Sequence, residues 1–253
     1  MSSADFANYP SLAGKHVLVT GGASGIGEAI VRRLAGQKMR VSFLDIARDP
    51  GEALAAELNG DVAFFQADLR DVDALRAAVD NARNTFGPIL VLANNAAHDQ
   101  RHPWQDVTPE YWDERIAVNL RHVFFATQTV APDMVAANEG SIVNFGSLSW
   151  MIKQGGMPAY TSSKAAIHGM TRSFARDLGK HNIRVNTVVP GWVMTKRQID
   201  LWVDEAAEKA MDEGMCLAGR VMPVDLANMV AFLAADDSRM CSAQNFVVDG
   251  GWN

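Results

Sequence analysis

Cysteine and tyrosine are scarce in these 253 residues, with two of the first and three of the second. Cys216 and Cys241 are too few for a disulfide framework and lack the paired spacing of a zinc site, so both read as small core residues. Positive charge is also short. Lys and Arg number 23 against 29 Asp and Glu, a net charge of -6, which gives no electrostatic case for binding nucleic acid or an anionic membrane. Apolar runs are brief, and none approaches the length of a bilayer span. The opening stretch MSSADFANYPSLAGKH has no basic start leading into an apolar run. It is not read as a secretory signal, and a cytoplasmic protein is expected. Repeats, linkers and low-complexity tracts are missing too. A single domain over 1–253 is therefore expected, and a 48% apolar content suffices for one continuous core.

What is present is a rhythm of short apolar runs and longer helical patterns. Buried strands are expected at His16–Thr20, Arg40–Asp45, Val62–Leu69, Ile89–Ala97, Gly140–Ser147, Ile183–Gly191 and Asn245–Gly251. Helical periodicity occupies Ile26–Leu34, Asp71–Phe86, Pro109–Ala137, Pro158–His181 and Pro223–Ala235. Near-continuous apolar strands alternating with helices imply an α/β fold: one doubly wound, seven-stranded parallel sheet covered on both faces. One stretch breaks the rhythm. Trp192–Arg220 is polar and helical, and a connection of that length suggests a lid over a binding site.

TGGASGIG (Thr20–Gly27) follows the first strand and opens the first helix. Its glycines run G-x-x-x-G-x-G through Gly21, Gly25 and Gly27, allowing a tight turn and close backbone approach. The helix N-terminus then offers free N–H groups to a pyrophosphate. Asp45 ends the second strand, where an acid accepts hydrogen bonds from an adenosine ribose and repels a 2′-phosphate. NAD is thereby favoured over NADP, although Arg48, three residues on, could partly offset that repulsion.

AYTSSKAAIHGM (Ala159–Met170) carries a tyrosine four residues ahead of a lysine on a helical pattern marked by Ala165, Ala166, Met170 and Phe174. Residues at i and i+4 share a helix face, so Tyr160 and Lys164 can approach each other. A free phenol, with a pKa of about 10, is too weakly acidic to serve as a base at neutrality. A neighbouring ammonium would favour the phenolate. His98 and His102 also stand four apart, but they follow a strand, precede Pro103 and imply no third ligand. No metal site is expected there, and His122, His168 and His181 read as packing or surface residues.

TGGASGIG, NNAA at 94–97, Asn119, Ser147, YTSSK and the Pro190–Gly191 pair occur in one order along the chain. Together they resemble the short-chain dehydrogenase/reductase family over essentially the whole length. The resemblance implies a catalytic tetrad of Asn119, Ser147, Tyr160 and Lys164. It implies a dinucleotide held by Gly21, Ser24, Gly25, Ile26, Gly27, Asp45, Asp68, Leu69, Asn95, Ala96, Pro190, Gly191, Val193 and Thr195. Tyr160 and Lys164 would touch that cofactor as well, Lys164 at the nicotinamide ribose, while Asp68 would meet the adenine and Asn119 would hold a water in the proton relay. Ala97 departs from the family's usual glycine and asks for more room beside the cofactor. The resemblance also implies a homotetramer, with the helices of 109–137 and 158–181 pairing across a two-fold axis and VVDGGWN at a second interface.

Three segments would surround a substrate: HDQRHPW after the fourth strand, SLSWMIKQGG after the fifth and GWVMTKRQ after the sixth. They supply Asp99, Gln100, Arg101, His102, Ser149, Gln154, Lys196 and Arg197, with Trp150 and Trp192. Substrate contacts are expected from Ser147, Ser149, Trp150, Gln154, Tyr160, Trp192, Arg101 and Arg197. Hydrogen-bonding groups beside indole faces suit a small polyhydroxylated molecule. HDQRH, YWDERIAVNLRH, NFGSLSW and TKRQ further resemble bacterial NAD-dependent aldose 1-dehydrogenases of the xylose type. That resemblance implies oxidation of a free pentose or 6-deoxyhexose at C1 to the lactone. A sugar acid or 2-keto-3-deoxy acid held by Arg101 or Arg197 is the alternative. An NADPH-dependent 3-oxoacyl reductase, which Asp45 opposes, and a silent nucleotide-binding protein are the remaining readings.

Overall fold

Val17, Leu18 and Val19 are all buried in β1 (His16–Thr20), yet they serve different cores. Successive strand residues point to opposite faces, so Val17 and Val19 join one apolar cluster and Leu18 the other. The same division runs through β2 (Arg40–Asp45), β3 (Val62–Gln66), β4 (Val91–Asn94), β5 (Gly140–Phe145) and β6 (Ile183–Pro190), while the edge strand β7 (Asn245–Val248) packs Phe246 and Val248 against the first core only. This computed structural model describes residues 6–253. The first five residues, which begin the stretch read as lacking a secretory signal, lie outside the described residues. The strands form one seven-stranded sheet in the order β3-β2-β1-β4-β5-β6-β7, with every neighbouring pair parallel.

One face is covered by α1 (Gly25–Ala35), α2 (Arg48–Leu58) and α9 (Pro223–Ala234), through Ile30, Val31, Leu34, Leu54, Leu226 and Val230. The other is covered by α3 (Val72–Phe86), α5 (His122–Ala137) and α6 (Pro158–Leu178), through Leu75, Val79, Val130, Met134 and Ala175. The chain leaves β1 for one side of the sheet and β4 for the other. That reversal opens a crevice at the carboxyl ends of β1 and β4, where α/β sheets bind ligands.

Three expectations change. The strands stop short of the expected Leu69, Ala97, Ser147, Gly191 and Gly251, because their last residues leave the ladder and form loops. The expected helix over 109–137 is three pieces: α4 (Pro109–Ile116), a π turn (Ala117–Arg121) and α5. A helix that sequence periodicity did not mark, α2, fills the β2–β3 connection. Pro50 and Gly51 there resemble punctuation, but Pro50 falls in the first turn, where a missing N–H costs nothing. Gly51 is required by packing, since a Cβ at this position would lie 2.4 Å from the Phe64 ring.

The Trp192–Arg220 insertion folds into α7 (Lys196–Trp202) and α8 (Glu205–Gly214). Thr195 and Asp204 cap them, accepting from the backbone N–H groups of Gln198 and Ala207 at 3.2 and 2.8 Å. A parallel bridge between Val193 and Val221 closes the base of the insertion.

Candidate active site

At the carboxyl edge of the sheet lies a cleft of about 1030 Å³. Every residue expected to hold a dinucleotide, from Gly21 to Thr195, lines it: Gly21, Ser24, Gly25, Ile26, Gly27, Asp45, Asp68, Leu69, Asn95, Ala96, Tyr160, Lys164, Pro190, Gly191, Val193 and Thr195. The glycine turn is built for close approach. Gly21 and Gly25 have φ of +68° and +57°, a region that favours glycine. A Cβ on Gly27 would lie 1.8 Å from the Gly21 carbonyl oxygen. Asn95 braces the turn, its side-chain amide donating to the carbonyls of Thr20 and Gly21 at 3.1 and 2.9 Å. Ser24, the N-cap of α1, makes no side-chain capping bond, leaving the first-turn N–H groups available to an anion. These donors fit a dinucleotide's pyrophosphate.

Asp45 accepts from the backbone N–H of Ala23 and of Ala47, both at 3.0 Å. Its carboxylate is fixed toward the cleft with acceptor capacity remaining. Arg48 does not stand beside it, because its guanidinium turns away to Gln66 at 3.1 Å and Glu52 at 3.7 Å. Asp68 is paired with Arg70, whose Nη2 donates at 2.7 Å and holds the carboxyl below its usual range.

Tyr160 and Lys164 meet on one face of α6, with the Lys164 Nζ 5.7 Å from the Tyr160 ring centre. The ammonium donates to the Phe145 carbonyl oxygen at 2.8 Å, which aims it into the cleft end of β5. Burial pushes Lys164 down to about 7, partly countered by Asp99. The Tyr160 phenol is raised by burial and by Asp99, while Ser147 and Arg101 pull it back. The expected lowering by Lys164 is therefore not realised within the protein's own field. Desolvation is the largest cause at both residues and disfavours both charged forms. Ser147, the N-cap of a 3-10 turn at Leu148–Trp150, accepts from the Ser149 N–H at 3.2 Å.

Asn119 is fully buried behind the cleft wall, on the π turn, a widening frequent at functional sites. Its Oδ1 accepts from the His98 N–H at 2.8 Å and its Nδ2 donates to the His98 carbonyl at 3.3 Å. It thus pins the loop that follows β4.

The substrate end differs from the expectation at one residue. Ser147, Ser149, Gln154, Trp192, Arg101 and Arg197 line the cleft, and Trp150 does not. The 3-10 turn sends Leu148 and Ser149 inward and Trp150 outward, where its indole donates to His168 Nε2 at 3.2 Å. His102 also faces away, buried between Tyr111 and the start of α6. Both arginines are engaged. Arg197 Nε donates to Asp99 at 3.1 Å. Arg101 lies 4.9 Å over the Trp202 ring; with the Gln154 amide oriented by its hydrogen-bonding partners, both Nη atoms donate to the Gln154 side-chain oxygen at 2.6 and 3.1 Å.

Gln198 and Trp252 are among the wall residues that escaped the sequence reading. Gln198 bridges Trp192, whose indole it accepts at 3.1 Å, and Asp99, to which it donates at 2.5 Å. Trp252 lines the cleft from the C-terminus, its ring 6.4 Å from that of Trp192. Its signal was Gly250–Gly251, whose φ of +72° and +81° turn the chain back toward α8.

Comparison with known proteins agrees with this geometry. The family profile described as Enoyl-(Acyl carrier protein) reductase matches residues 21–253. The "Probable galactose dehydrogenase GalD" of Rhizobium meliloti (strain 1021) is 46% identical over 247 residues, covering 96% of each chain. The D-xylose 1-dehydrogenase of Caulobacter vibrioides is 45% identical, covering 96% of this chain and 98% of its own. Among solved structures, the blue fluorescent protein from a metagenomic library in complex with NADPH superposes with a TM-score of 0.87 at 35% identity, over 96% of this chain and 99% of its own. Matched by fold and over nearly its full length, the chain is an oxidoreductase of the short-chain dehydrogenase/reductase family, which binds a nicotinamide dinucleotide.

Proposed function

We propose that this enzyme oxidises a free neutral aldose, a pentose or 6-deoxyhexose, at C1 to the aldonolactone, with NAD as acceptor. The observation that carries the reading is the state of the two arginines at the substrate end. Arg197 is held by Asp99 and Arg101 by Gln154 and Trp202, so this wall presents hydrogen-bonding groups and indole faces more than an anion trap. The buried Ser149 hydroxyl has no protein partner and is available to a ring hydroxyl. The sugar dehydrogenases at 45–46% identity support the same substrate class.

Ser147 holds the 1-hydroxyl oxygen and Tyr160 takes its proton, as the general base that hydride departure requires. A bound nicotinamide dinucleotide supplies the hydride acceptor and, oxidised, a positive charge near the phenol. Lys164 steers the nicotinamide ribose, and Asn119 keeps the His98 loop in register with the tetrad. Asp45, with Arg48 turned away, supports NAD over NADP. The same feature weighs against an NADPH-dependent 3-oxoacyl reductase.

One feature favours a second reading. The Arg101 Nε is buried without a partner, and a sugar acid could use it. Initial rates of NADH and NADPH formation across pentoses, hexoses, 6-deoxyhexoses and their acids separate these readings. A neutral aldose with NAD is expected to give the highest kcat/KM; a sugar acid in that place would reverse the assignment.

α7 and α8 act as the substrate lid over 192–220 in this reading. The assembly is a homotetramer built on α4–α5 and α6, supported by Phe124, which is 40% exposed and stacks on Phe174 at 5.4 Å. No helix among the described residues is long and apolar enough to cross a membrane, and the enzyme is assigned to the cytoplasm.

A further inference from the structure

Asp99 lies on the loop after β4, and α7 reaches it from the far wall of the cleft, after β6. Two bonds join them: Arg197 Nε to Oδ1 at 3.1 Å and Gln198 Nε2 to Oδ2 at 2.5 Å. Gln198 is doubly fixed, by the Thr195 cap on its backbone N–H and by the Trp192 indole on its side-chain oxygen. The pair is unequal in exposure. The Asp99 side chain is 21% exposed and that of Arg197 45%, so the carboxylate is the more enclosed partner. Each carboxylate oxygen keeps acceptor capacity for a donor hydroxyl. The other cations of the cleft are occupied: Arg70 by Asp68 and Glu114, Arg115 by Glu114 and His98, Lys196 by Asp200, and Lys164 by the Phe145 carbonyl. Arg101 and Lys164 have no acidic partner, and Arg101 meets only Gln154 and the Trp202 ring.

We infer that Asp99 sets the charge specificity of this cleft: by holding Arg197 and facing the substrate as an acceptor, it admits neutral polyols and refuses sugars that carry a carboxylate. The inference rests on the aldose reading and extends it. A neutral sugar donates hydroxyls to Asp99. An anionic sugar meets a like charge and finds Arg197 already neutralised, a repulsive element of the kind that gives discrimination. Asp99→Asn removes that repulsion, keeps the shape, and leaves Arg197 and Arg101 both uncompensated.

D-galactose and D-galacturonate differ only at C6 and serve as the probe pair, with NAD, for wild type, Asp99→Asn and Arg197→Met. For Asp99→Asn the galactose-to-galacturonate ratio of kcat/KM is expected to fall by roughly tenfold or more, through KM, with the KM for NAD retained. Arg197→Met, which keeps the carboxylate, is expected to hold the acid excluded. Parallel losses on both sugars in Asp99→Asn would make the residue merely structural and overturn the inference, as would a wild type that prefers galacturonate. A wild type that oxidises neither sugar excludes hexoses and leaves the aldose reading to the pentoses and 6-deoxyhexoses. Binding then decides the inference: Trp192 and Trp252 line the cleft, so their fluorescence reports galacturonate. Tighter galacturonate binding by Asp99→Asn than by wild type upholds it, and equal binding overturns it.

Discussion

Burial holds the Tyr160 phenol above its usual range and brings Lys164 down to about 7, whereas proton abstraction near neutrality calls for a phenolate beside an ammonium. The proposed catalytic role gives this cost a use, since strongly perturbed groups in a cleft concentrate at functional sites. Tyr160→Phe keeps the ring and removes the acceptor. Its kcat is expected to fall by roughly two to four orders of magnitude with NAD binding, followed by fluorescence titration, little changed; turnover within a few-fold of wild type would remove Tyr160 from the mechanism. His122 shows burial without such a use. It is fully enclosed, and the Ala117 carbonyl approaches the ring without completing a hydrogen bond. Burial, then Lys164, pushes its pKa from 6.5 to about 3. The unfolded chain takes up this proton first as pH falls, so the contribution is fully present above about 6.5 and is lost toward about 3. One such histidine steepens the loss by up to about 1.4 kcal/mol per pH unit. His122→Leu should flatten the fall of urea-unfolding stability from neutrality to about pH 4.5 while leaving neutral stability nearly intact, and an unchanged slope would contradict the assignment. At this scale the sequence was legible where spacing is local. Tyr160 and Lys164 share a helix face by arithmetic, whereas Asp99 and Arg197 meet only because β4 and β6 end at the same edge.

Elements were legible wherever hydrophobic periodicity was unopposed, and so the strands and the helices α1, α3, α6 and α9 stand close to where the sequence puts them. Periodicity failed where backbone and packing overrule it. Pro50 and Gly51 masked α2, and nothing in AVNLR distinguishes the π turn from the α-helix around it. The Trp150 side chain was misassigned because a short 3-10 turn changes which residue faces inward, and no periodicity reports that. The glycine turn was readable because its reason is steric. At Gly27 a side chain would strike the backbone of Gly21, so α1 can dock on the β1 turn only with glycine there. Gly27→Ala should separate α1 from the turn and weaken NAD binding by roughly a hundredfold, on the scale of losing two or more hydrogen bonds to a charged group. Isothermal titration with NAD checks this, and wild-type affinity would mean that the pyrophosphate is held elsewhere.

For the molecule as a whole, the sheet order sets the chemistry. The reversal between β1 and β4 gathers residues from 21 to 252 around one cleft, with the glycine turn at one end and Ser147, Tyr160 and the Asp99–Arg197 pair at the other. Outside the cleft, Trp112 and Phe124 on α4 and α5 are 39% and 40% exposed, more apolar surface than those helices need if they faced water alone. Light scattering coupled to size exclusion should give four times the 27.5 kDa chain mass, and a monomeric mass would contradict that assembly. The central claim, hydride removal from C1 of a neutral aldose, is tested most directly by carbon NMR of the product formed from a uniformly labelled aldose and NAD. The account predicts loss of the anomeric carbon signals and growth of a lactone or aldonate carboxyl at C1, with every other carbon unoxidised. A ketone or acid at any other carbon would contradict it.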